Sequence, residues 1–467
     1  MLFNSQLFLL CFLPLTVIIY WFVATRKYHN KHSILKVLLL IASLIFYGYW
    51  DIRLLPLLLI SICINYLLIQ ALLHFQHQKN LLLFLGIAIN IAVLGFFKYF
   101  NFFVINLQYL GIDIKRMHII LPLAISFFTF QQIATLVAAK KRQICAHSFL
   151  DYALFIGFFP QLIAGPIVYH NHLVPQLQSM PHWQNIANKF ATGLILLILG
   201  LLKKVLFADT LGTIADPLFH TSLTQALTIV NAWIAALAFG LQIYFDFSGY
   251  SDMAIGIALL FGIELPINFN IPYRATSLID FWHRWHITLS TFLRDYLYIP
   301  LGGNRYGATR RSSALMITML LGGLWHGAGW NYIIWGGLHG IGLVMNHLWN
   351  QNGINLSKVS SWLLTILFVF IAFVIFRAES IISAFNVITS LFGFGITINT
   401  DYILNSKQIA LLACAFIVAI VIPEPHYIAT YQFWHYTVVA IALAIIFVLT
   451  VIYLGGSLEQ EFIYFQF

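Results

Sequence analysis

Residues 359–376 read VSSWLLTILFVFIAFVIF, an apolar stretch without a charged side chain. A helix that crosses a lipid bilayer needs roughly 20 mainly apolar residues, because the lipid interior offers no partner for bare backbone groups. Similar charge-free runs recur along the chain at 2–25, 54–73, 80–97, 217–245, 408–423 and 426–458. With the weaker runs included, the sequence predicts an all-α polytopic membrane protein with about 11 to 13 membrane segments.

The composition agrees with a chain that is solvated by lipid. Of 467 residues, 61% are hydrophobic and only 8% are charged, against about 25% charged residues in an ordinary soluble domain. The net charge is +9, but the basic residues are scattered among membrane loops, where anionic lipid headgroups account for them. We therefore expect a lipid bilayer, and no nucleic acid, as the partner of these charges. The four cysteines are widely separated, so neither a disulfide framework nor a metal site is predicted.

The N-terminal run has no basic residue before its apolar stretch and no clear small-residue cleavage site. We interpret it as a retained first helix rather than a secretory signal. The basic cluster at 26–36 then places the following loop in the cytoplasm by the positive-inside rule. No low-complexity linker separates soluble domains. The sequence predicts a single transmembrane domain over 1–467, with its most specific core at 240–345.

His326 is the clearest candidate for chemistry, since ionisable groups at membrane depth are costly and raise a functional hypothesis. It stands between Trp325 and Gly327 in an apolar stretch with glycines on both sides. A neutral imidazole can take a proton from a hydroxyl, because its unperturbed pKa lies near 6.5. The small neighbours leave room for a substrate beside the ring. On the local pattern alone, a histidine bonded to a carbonyl on a packed helix remains an alternative.

The stretch 277–298 is typical of an amphipathic helix at a membrane interface. His283 and His286 would share one face of that helix, because they lie three residues apart. No glutamate follows at the position that a zinc protease needs, and no cysteine or carboxylate cluster completes a site, so no metal is predicted. We expect one of the two histidines to face the interior. His339 and His347 are more simply interpreted as structural.

The phrase YFDFSGYSDMAIG places four polar side chains between apolar stretches: Asp246, Ser248, Tyr250 and Asp252. A serine hydrolase would hold its nucleophile in a Gly-x-Ser-x-Gly turn, and Ser248 stands in Phe-Ser-Gly instead. We therefore expect this polar island to break a helix and to line a cavity. There its four side chains would bind substrate together with Trp325.

Several long phrases together resemble the membrane-bound O-acyltransferase family and, within it, the bacterial alginate-type polysaccharide O-acetyltransferases. The most specific are LQIYFDFSGYSDMAIGIALLFGIELPINFNIPYRATSLIDFWHRWHITLSTFLRDYLYIPLGGNR at 241–305 and GGLWHGAGWNYIIWGGLHG at 322–340. The resemblance covers nearly the whole chain, including the closing FIYFQF at 462–467. One departure is LVAAKKRQ at 136–143, where relatives usually carry an acidic and a tyrosine residue.

The resemblance implies a ring of tilted helices around a central tunnel that opens towards both membrane faces. The near-invariant histidine of the family falls at His326, and a second functional histidine falls at His286. The implied reaction moves an acyl group, in the first place acetyl, from a cytoplasmic thioester such as acetyl-coenzyme A to a hydroxyl outside a bacterial cytoplasmic membrane. No bound cofactor is implied. His326 would act as general base, while His286, Asp246 or backbone donors would orient the substrate or stabilise the oxyanion.

The implied partners are an extracytoplasmic glycan acceptor and an SGNH-type acetyltransferase protein that completes the transfer. A second enzyme hypothesis is the transfer of D-alanine from a carrier protein to teichoic acid, as in another branch of the family. The phrase PLGGNR at 300–305 favours the acetylation branch. A transporter without covalent chemistry is the alternative from a different class, because ionisable groups at membrane depth would suit it equally.

Overall fold

The computed structural model describes residues 1–75, 77–179, 186–354, 356–395, 404–430, 437–456 and 460–463. These residues form helices and no strand, which confirms the predicted all-α class. The first ten α-helices are α1 (Leu13–Thr25), α2 (Lys31–Gly48), α3 (Leu55–His74), α4 (Lys79–Leu94), α5 (Phe100–Tyr109), α6 (Ile125–Lys140), α7 (Phe149–Gly157), α8 (Phe159–Leu162), α9 (His170–Gln178) and α10 (Ile186–Leu202). The remaining α-helices are α11 (Asp209–Thr221), α12 (Ile229–Leu260), α13 (Leu278–Arg284), α14 (Ile287–Leu293), α15 (Gly307–His326), α16 (Trp330–Gln351), α17 (Lys358–Arg377), α18 (Ile381–Leu391), α19 (Ser406–Val421), α20 (Pro425–Thr430) and α21 (Thr437–Gly456). Short π-helical segments lie at Phe8–Phe12, Gly95–Tyr99, Lys203–Ala208 and Arg294–Tyr298.

Eight helical stretches in the described part of the chain are long and apolar enough to cross a membrane. They are Phe8–Thr25, Lys31–Gly48, Ile52–His74, Lys79–Tyr109, Ile186–Thr221, Ile229–Leu260, Lys358–Arg377 and Thr437–Gly455. The helices α15 and α16 are 20 and 22 residues long but are not among the eight, and α18 and α19 are shorter apolar helices. Eight is fewer than the predicted 11 to 13 segments. The chain is a multi-pass membrane protein.

The predicted run at 217–245 is not one element, because the chain turns between α11 and α12. Serines of α18 stabilise this turn. The Ser222 hydroxyl lies 2.6 Å from the Ser383 hydroxyl, and the Leu227 amide donates to Ser390 Oγ at 3.0 Å. The hydrophobic run therefore contains a polar turn. This turn was not predicted from the sequence, because the run has no charged residue.

Helix α12 continues without interruption through the polar island, so the expectation of a helix break there is wrong. The reason lies in the partners of Asp246. Lys204 Nζ lies 2.7 Å from Asp246 Oδ1, and both side chains are only 2% exposed. The Ile463 amide donates to Asp246 Oδ2 at 2.9 Å. A carboxylate paired in this way satisfies its charge without any unwinding of the helix that carries it.

The chain separates into two compact units, each made of segments that are distant in sequence. The first unit comprises Met1–Leu199, Tyr250–Pro266 and Ala429–Glu461. The second comprises Gly200–Gly249, Ile267–Ile428 and Phe462–Phe467. A single domain over 1–467 stays a prediction.

Within the first unit, amide side chains connect three of the apolar helices. Asn65 of α3 donates to Gln132 Oε1 of α6 at 3.0 Å, and Asn90 of α4 donates to Asn65 Oδ1 at 2.7 Å. All three side chains are buried. Because lipid offers no hydrogen bonds, such polar contacts hold neighbouring membrane helices together.

Within the second unit, buried Glu424 fixes the backbone that leads towards the candidate site. Lys203 Nζ lies 2.6 Å from Glu424 Oε2, while the Tyr244 hydroxyl and the Ile271 amide donate to Oε1 at 2.7 and 3.2 Å. Burial raises the pKa of the Glu424 carboxyl, but the charge of Lys203 and these hydrogen bonds outweigh it and lower that pKa below its ordinary value. Glu424 thus joins α12 to the loop around residue 271.

Candidate active site

His326 is the last residue of α15, and only three residues separate it from the start of α16. Glycines allow the two helices to pack closely. A Cβ atom on Gly323 would overlap the carbonyl of Tyr332, and one on Gly336 would overlap the carbonyl of Met319. Small residues at such positions let helix backbones approach one another. The glycine-rich sequence therefore forms a tight hairpin with His326 at its tip.

Aromatic rings surround the imidazole of His326, which is 5% exposed. The ring centroid lies 4.9 Å from that of Trp325, 5.1 Å from that of Trp335 and 5.3 Å from that of Phe376. All three pairs meet edge to face. These contacts hold the imidazole in place by packing, and its neutral form is the one that a general base requires.

The predicted helix over 277–298 is broken at His286, and this expectation was wrong. Helix α13 ends before this residue and α14 begins after it, while His286 itself has a φ angle of 42°, in the left-handed region. A non-glycine residue in this region is strained and needs support from its surroundings. Two backbone hydrogen bonds support it: Asn270 N donates to Arg284 O, and Ile287 N donates to Asn268 O, both at 2.9 Å.

The break separates the two histidines that the sequence placed on one helix face. His283 belongs to α13 and is exposed, whereas His286 is completely buried. The ring of His286 packs edge to face on Phe247, with centroids 4.6 Å apart. Phe247 lies within the phrase YFDFSGYSDMAIG, so the residue of this phrase that contacts His286 here is an apolar one.

The Asn268 side chain determines which nitrogen of His286 carries the proton. Asn268 Oδ1 accepts from the Thr288 amide at 3.3 Å and from the Thr288 hydroxyl at 2.9 Å, and His286 Nδ1 lies 3.1 Å away from the same oxygen. A backbone N–H can only donate, so this atom is the amide oxygen and Nδ1 of His286 is the donor. The lone pair of the neutral ring then lies on Nε2. Burial lowers the pKa of His286 to about 3, so the ring is neutral at physiological pH.

Trp325 connects the two candidate histidines. Its ring centroid lies 6.3 Å from that of His286 and 4.9 Å from that of His326. The structure therefore brings together His326, His286 and Trp325 within the second unit. The prediction for His286 came from a different phrase of the sequence than the predictions for Trp325 and His326.

The polar island is divided between the two compact units. Asp246 and Ser248 belong to the second unit, whereas Tyr250 and Asp252 belong to the first. Asp246 is engaged by Lys204, and Tyr250 stacks on Phe3 with ring centroids 4.8 Å apart. All four side chains are buried. Their predicted role in substrate binding stays a prediction.

Three residues that contact the candidate histidines were not predicted from the sequence: Asn268, Trp335 and Phe376. Trp335 also touches His339, with centroids 4.8 Å apart, and His339 Nδ1 accepts from Trp282 Nε1 at 3.3 Å. This hydrogen bond accounts for His339 as a structural residue. No motif marks Asn268, since its role depends on a residue 18 positions later.

Comparison with known proteins identifies the family. The model of the membrane-bound O-acyltransferase family, MBOAT, matches residues 5–385. A peptidoglycan O-acetyltransferase from Helicobacter pylori is 43% identical over 425 residues, which cover 84% of this chain and 80% of the relative. A probable alginate O-acetylase AlgI from Pseudomonas aeruginosa is 41% identical over 405 residues, 85% of this chain and 75% of the relative. A teichoic acid D-alanyltransferase from Streptococcus thermophilus is 30% identical over 245 residues, 50% of this chain and 59% of the relative.

The matched range includes the hairpin of α15 and α16 and both candidate histidines. Most of the chain is covered by the family model, and the first two relatives are covered over at least three quarters of their own lengths. Together with the all-helical, multi-pass fold, these matches show that the chain is an acyltransferase that belongs to the membrane-bound O-acyltransferase family.

Proposed function

We propose that this chain transfers an acetyl group from a cytoplasmic thioester, acetyl-coenzyme A, to a hydroxyl of an extracytoplasmic polysaccharide, in the cytoplasmic membrane of a bacterium. The names of the two relatives with about 40% identity, which are O-acetylating enzymes of peptidoglycan and alginate, support this choice. The observation that carries the proposal is the buried imidazole of His326 at the hairpin tip, enclosed by aromatic rings.

In this proposal, His326 is the general base. Its imidazole accepts the proton of the acceptor hydroxyl as the oxygen attacks the thioester carbonyl. A C–O bond forms, the C–S bond breaks, and the proton passes from His326 to the departing thiolate. A positioned base of this kind contributes about 10²–10⁴-fold to the rate.

His286 has a different role, which follows from its tautomer. Because Nδ1 donates to Asn268, Nε2 of the neutral ring can accept a hydrogen bond but cannot donate one. An acceptor cannot stabilise an oxyanion, so we assign His286 to orienting a hydroxyl rather than to the oxyanion site. Trp325, which touches both histidines, would form the wall against which the substrate lies.

The polar island divides into one structural residue and three candidates. The ion pair with Lys204 and the hydrogen bond from the Ile463 amide account for Asp246 without a substrate. Ser248, Tyr250 and Asp252 remain candidates for substrate binding. The alternative first acceptor in this proposal is an SGNH-type partner protein, which receives the acetyl group in place of the polysaccharide and completes its transfer to the polymer.

The second candidate function is the transfer of D-alanine to teichoic acid. The match to the teichoic acid D-alanyltransferase, at 30% identity over half of this chain, is the observation in its favour. The relatives that cover 84–85% of this chain favour acetyl transfer instead. The transporter alternative does not account for membership in an acyltransferase family.

The test is ester analysis of envelope polysaccharides from cells that express the wild type, His326→Ala or His220→Ala. His220 is an exposed histidine of the same unit and serves as the matched control. We expect acetyl esters with the wild type and with the control, and their loss with His326→Ala. The loss of D-alanyl esters instead would establish the second candidate. Acetyl and D-alanyl esters that are equal in all three strains would refute both.

A further inference from the structure

The guanidinium group of Arg311 has two nitrogen atoms that form no hydrogen bond with the described residues. It lies near the start of α15 and is half-buried. Its Nε and Nη2 atoms are buried and have no hydrogen-bond partner in the part of the chain that the structure describes. These two nitrogens form the side of the guanidinium group from which two parallel N–H bonds project. That side is the one that binds carboxylate or phosphate through two hydrogen bonds.

Two other arginines of this protein show which partners a guanidinium group binds. Arg53 uses the same edge on Asp51, with Nε 2.9 Å from Oδ1 and Nη2 2.8 Å from Oδ2. Arg310, the neighbour of Arg311, donates from Nε to the Leu301 carbonyl at 3.1 Å and lies over the ring of Tyr306. A buried guanidinium edge without partners is costly. We therefore expect an anion from outside the chain at Arg311.

The surroundings of Arg311 favour an anion with more than one negative charge. The segment 294–311 contains four arginines and one acidic residue, Asp295, which is paired with Arg294 at 2.8 Å. Burial raises the pKa of Tyr298, and the charge of Arg311 opposes that rise, so the guanidinium lies near this phenol. The N-terminus of a 20-residue helix adds partial positive charge. The basic bias also places this segment on the cytoplasmic side.

We propose that the Nε–Nη2 edge of Arg311 binds a phosphate group at the cytoplasmic end of α15. Two sources share this chemistry: the phosphate of an anionic phospholipid, and the phosphate of the coenzyme A donor. The second source rests on the proposed function. Arg311 is then a binding residue for phosphate, distinct from the histidine site at the other end of the same helix.

The length of α15 sets a condition on the donor. His326 lies fifteen residues after Arg311 on this helix, which corresponds to about 22 Å at 1.5 Å per residue. A donor that reaches both residues must carry its phosphate and its thioester at opposite ends of a long arm. Coenzyme A has this arrangement.

The experiment uses the full-length protein, in nanodiscs of phosphatidylcholine for the first arm and in detergent for the second, with Arg311→Gln, Arg311→Lys and the matched control Arg310→Gln. One arm measures the dissociation constant of coenzyme A. The other titrates phosphatidylglycerol into the detergent-solubilised protein and counts bound lipids by native mass spectrometry. We expect Arg311→Gln to weaken one of these ligands by about tenfold or more, the loss that follows from removing hydrogen bonds to a charged group. Arg311→Lys, which keeps the charge but not the parallel edge, should fall between Arg311→Gln and the wild type.

Weaker binding of coenzyme A identifies the donor as the source, and weaker binding of phosphatidylglycerol identifies the lipid. Unchanged affinity for both ligands, or an equal loss in Arg310→Gln, overturns the proposal. If Arg311→Gln does not fold, the comparison of Arg311→Lys with the control decides in its place. Binding is measured without turnover. A wild type that binds coenzyme A but transfers no acetyl group would therefore refute the proposed function and leave the phosphate site intact.

Discussion

His286 and His326 both pack against Trp325, yet the protein holds them by different means. His286 sits in a break between two short helices, where Asn268 fixes its Nδ1 nitrogen and the backbone is strained. His326 ends a long helix, and the edges of Trp335 and other rings surround it. The first histidine is oriented by hydrogen bonds and the second is enclosed by packing.

The two environments suit two different tasks that histidines perform. A ring whose tautomer is fixed by a hydrogen bond suits a constant role, such as orienting a hydroxyl. A general base gains and loses a proton in each cycle, and a ring that is packed against the edges of aromatic neighbours keeps its place while it does so. The comparison therefore predicts that the packing around His326 and the hydrogen bonds around His286 can be disrupted separately.

The largest effect is expected when the packing around His326 is disrupted. Trp335→Ala would leave a cavity beside His326, because Trp335 is only 2% exposed. Removal of a buried Trp side chain typically costs about 3–5 kcal/mol. The free energy of unfolding, measured by steric trapping in bicelles, should fall by this amount, and Trp335→Phe should recover part of it. A loss below about 1 kcal/mol would show that Trp335 does not enclose His326.

The second effect is expected when the hydrogen bonds around His286 are disrupted. Asn268→Ala removes the acceptor shared by His286 and Thr288 and leaves buried donors unsatisfied, at a cost of about 1–3 kcal/mol. Acetyl transfer should fall as well, because the His286 ring loses its orientation. The control Thr288→Val removes one hydroxyl donor and keeps Asn268, so its effect on transfer should be smaller. Equal rates for Asn268→Ala and the wild type would contradict the assigned role of His286.

The smallest expected effect is a change in how the free energy of unfolding depends on pH. Burial lowers the pKa of His286 to about 3, whereas an unfolded chain would bind a proton near pH 6.5. Between these values the unfolded state holds one more proton, so the folded state loses about 1.4 kcal/mol per unit as the pH falls. His286→Gln should remove this contribution to the slope between pH 6 and 5, while the exposed control His283→Gln should retain it. Parallel stability curves for the wild type and His286→Gln would contradict a buried neutral ring.

The sequence was sufficient for the features that depend on local composition. Charge-free runs predicted the membrane helices, such as α17, and the phrase LWHG singled out His326. Features that depend on distant partners were not predictable. The helix break at His286 requires Asn268, which lies 18 positions earlier, and the continuity of α12 requires Lys204, which lies 42 positions before Asp246.

The central claim is that His326 removes a proton from the acceptor while His286 only positions it. Single-turnover acetyl transfer by the purified protein tests this claim most directly, with His326→Gln and His286→Gln compared with the wild type at saturating coenzyme A donor. The account predicts a rate at least about 10²-fold lower for His326→Gln, a smaller loss for His286→Gln, and dissociation constants for coenzyme A that differ little among the three proteins. A His326→Gln rate within about tenfold of the wild type, below the range of a positioned base, would contradict it.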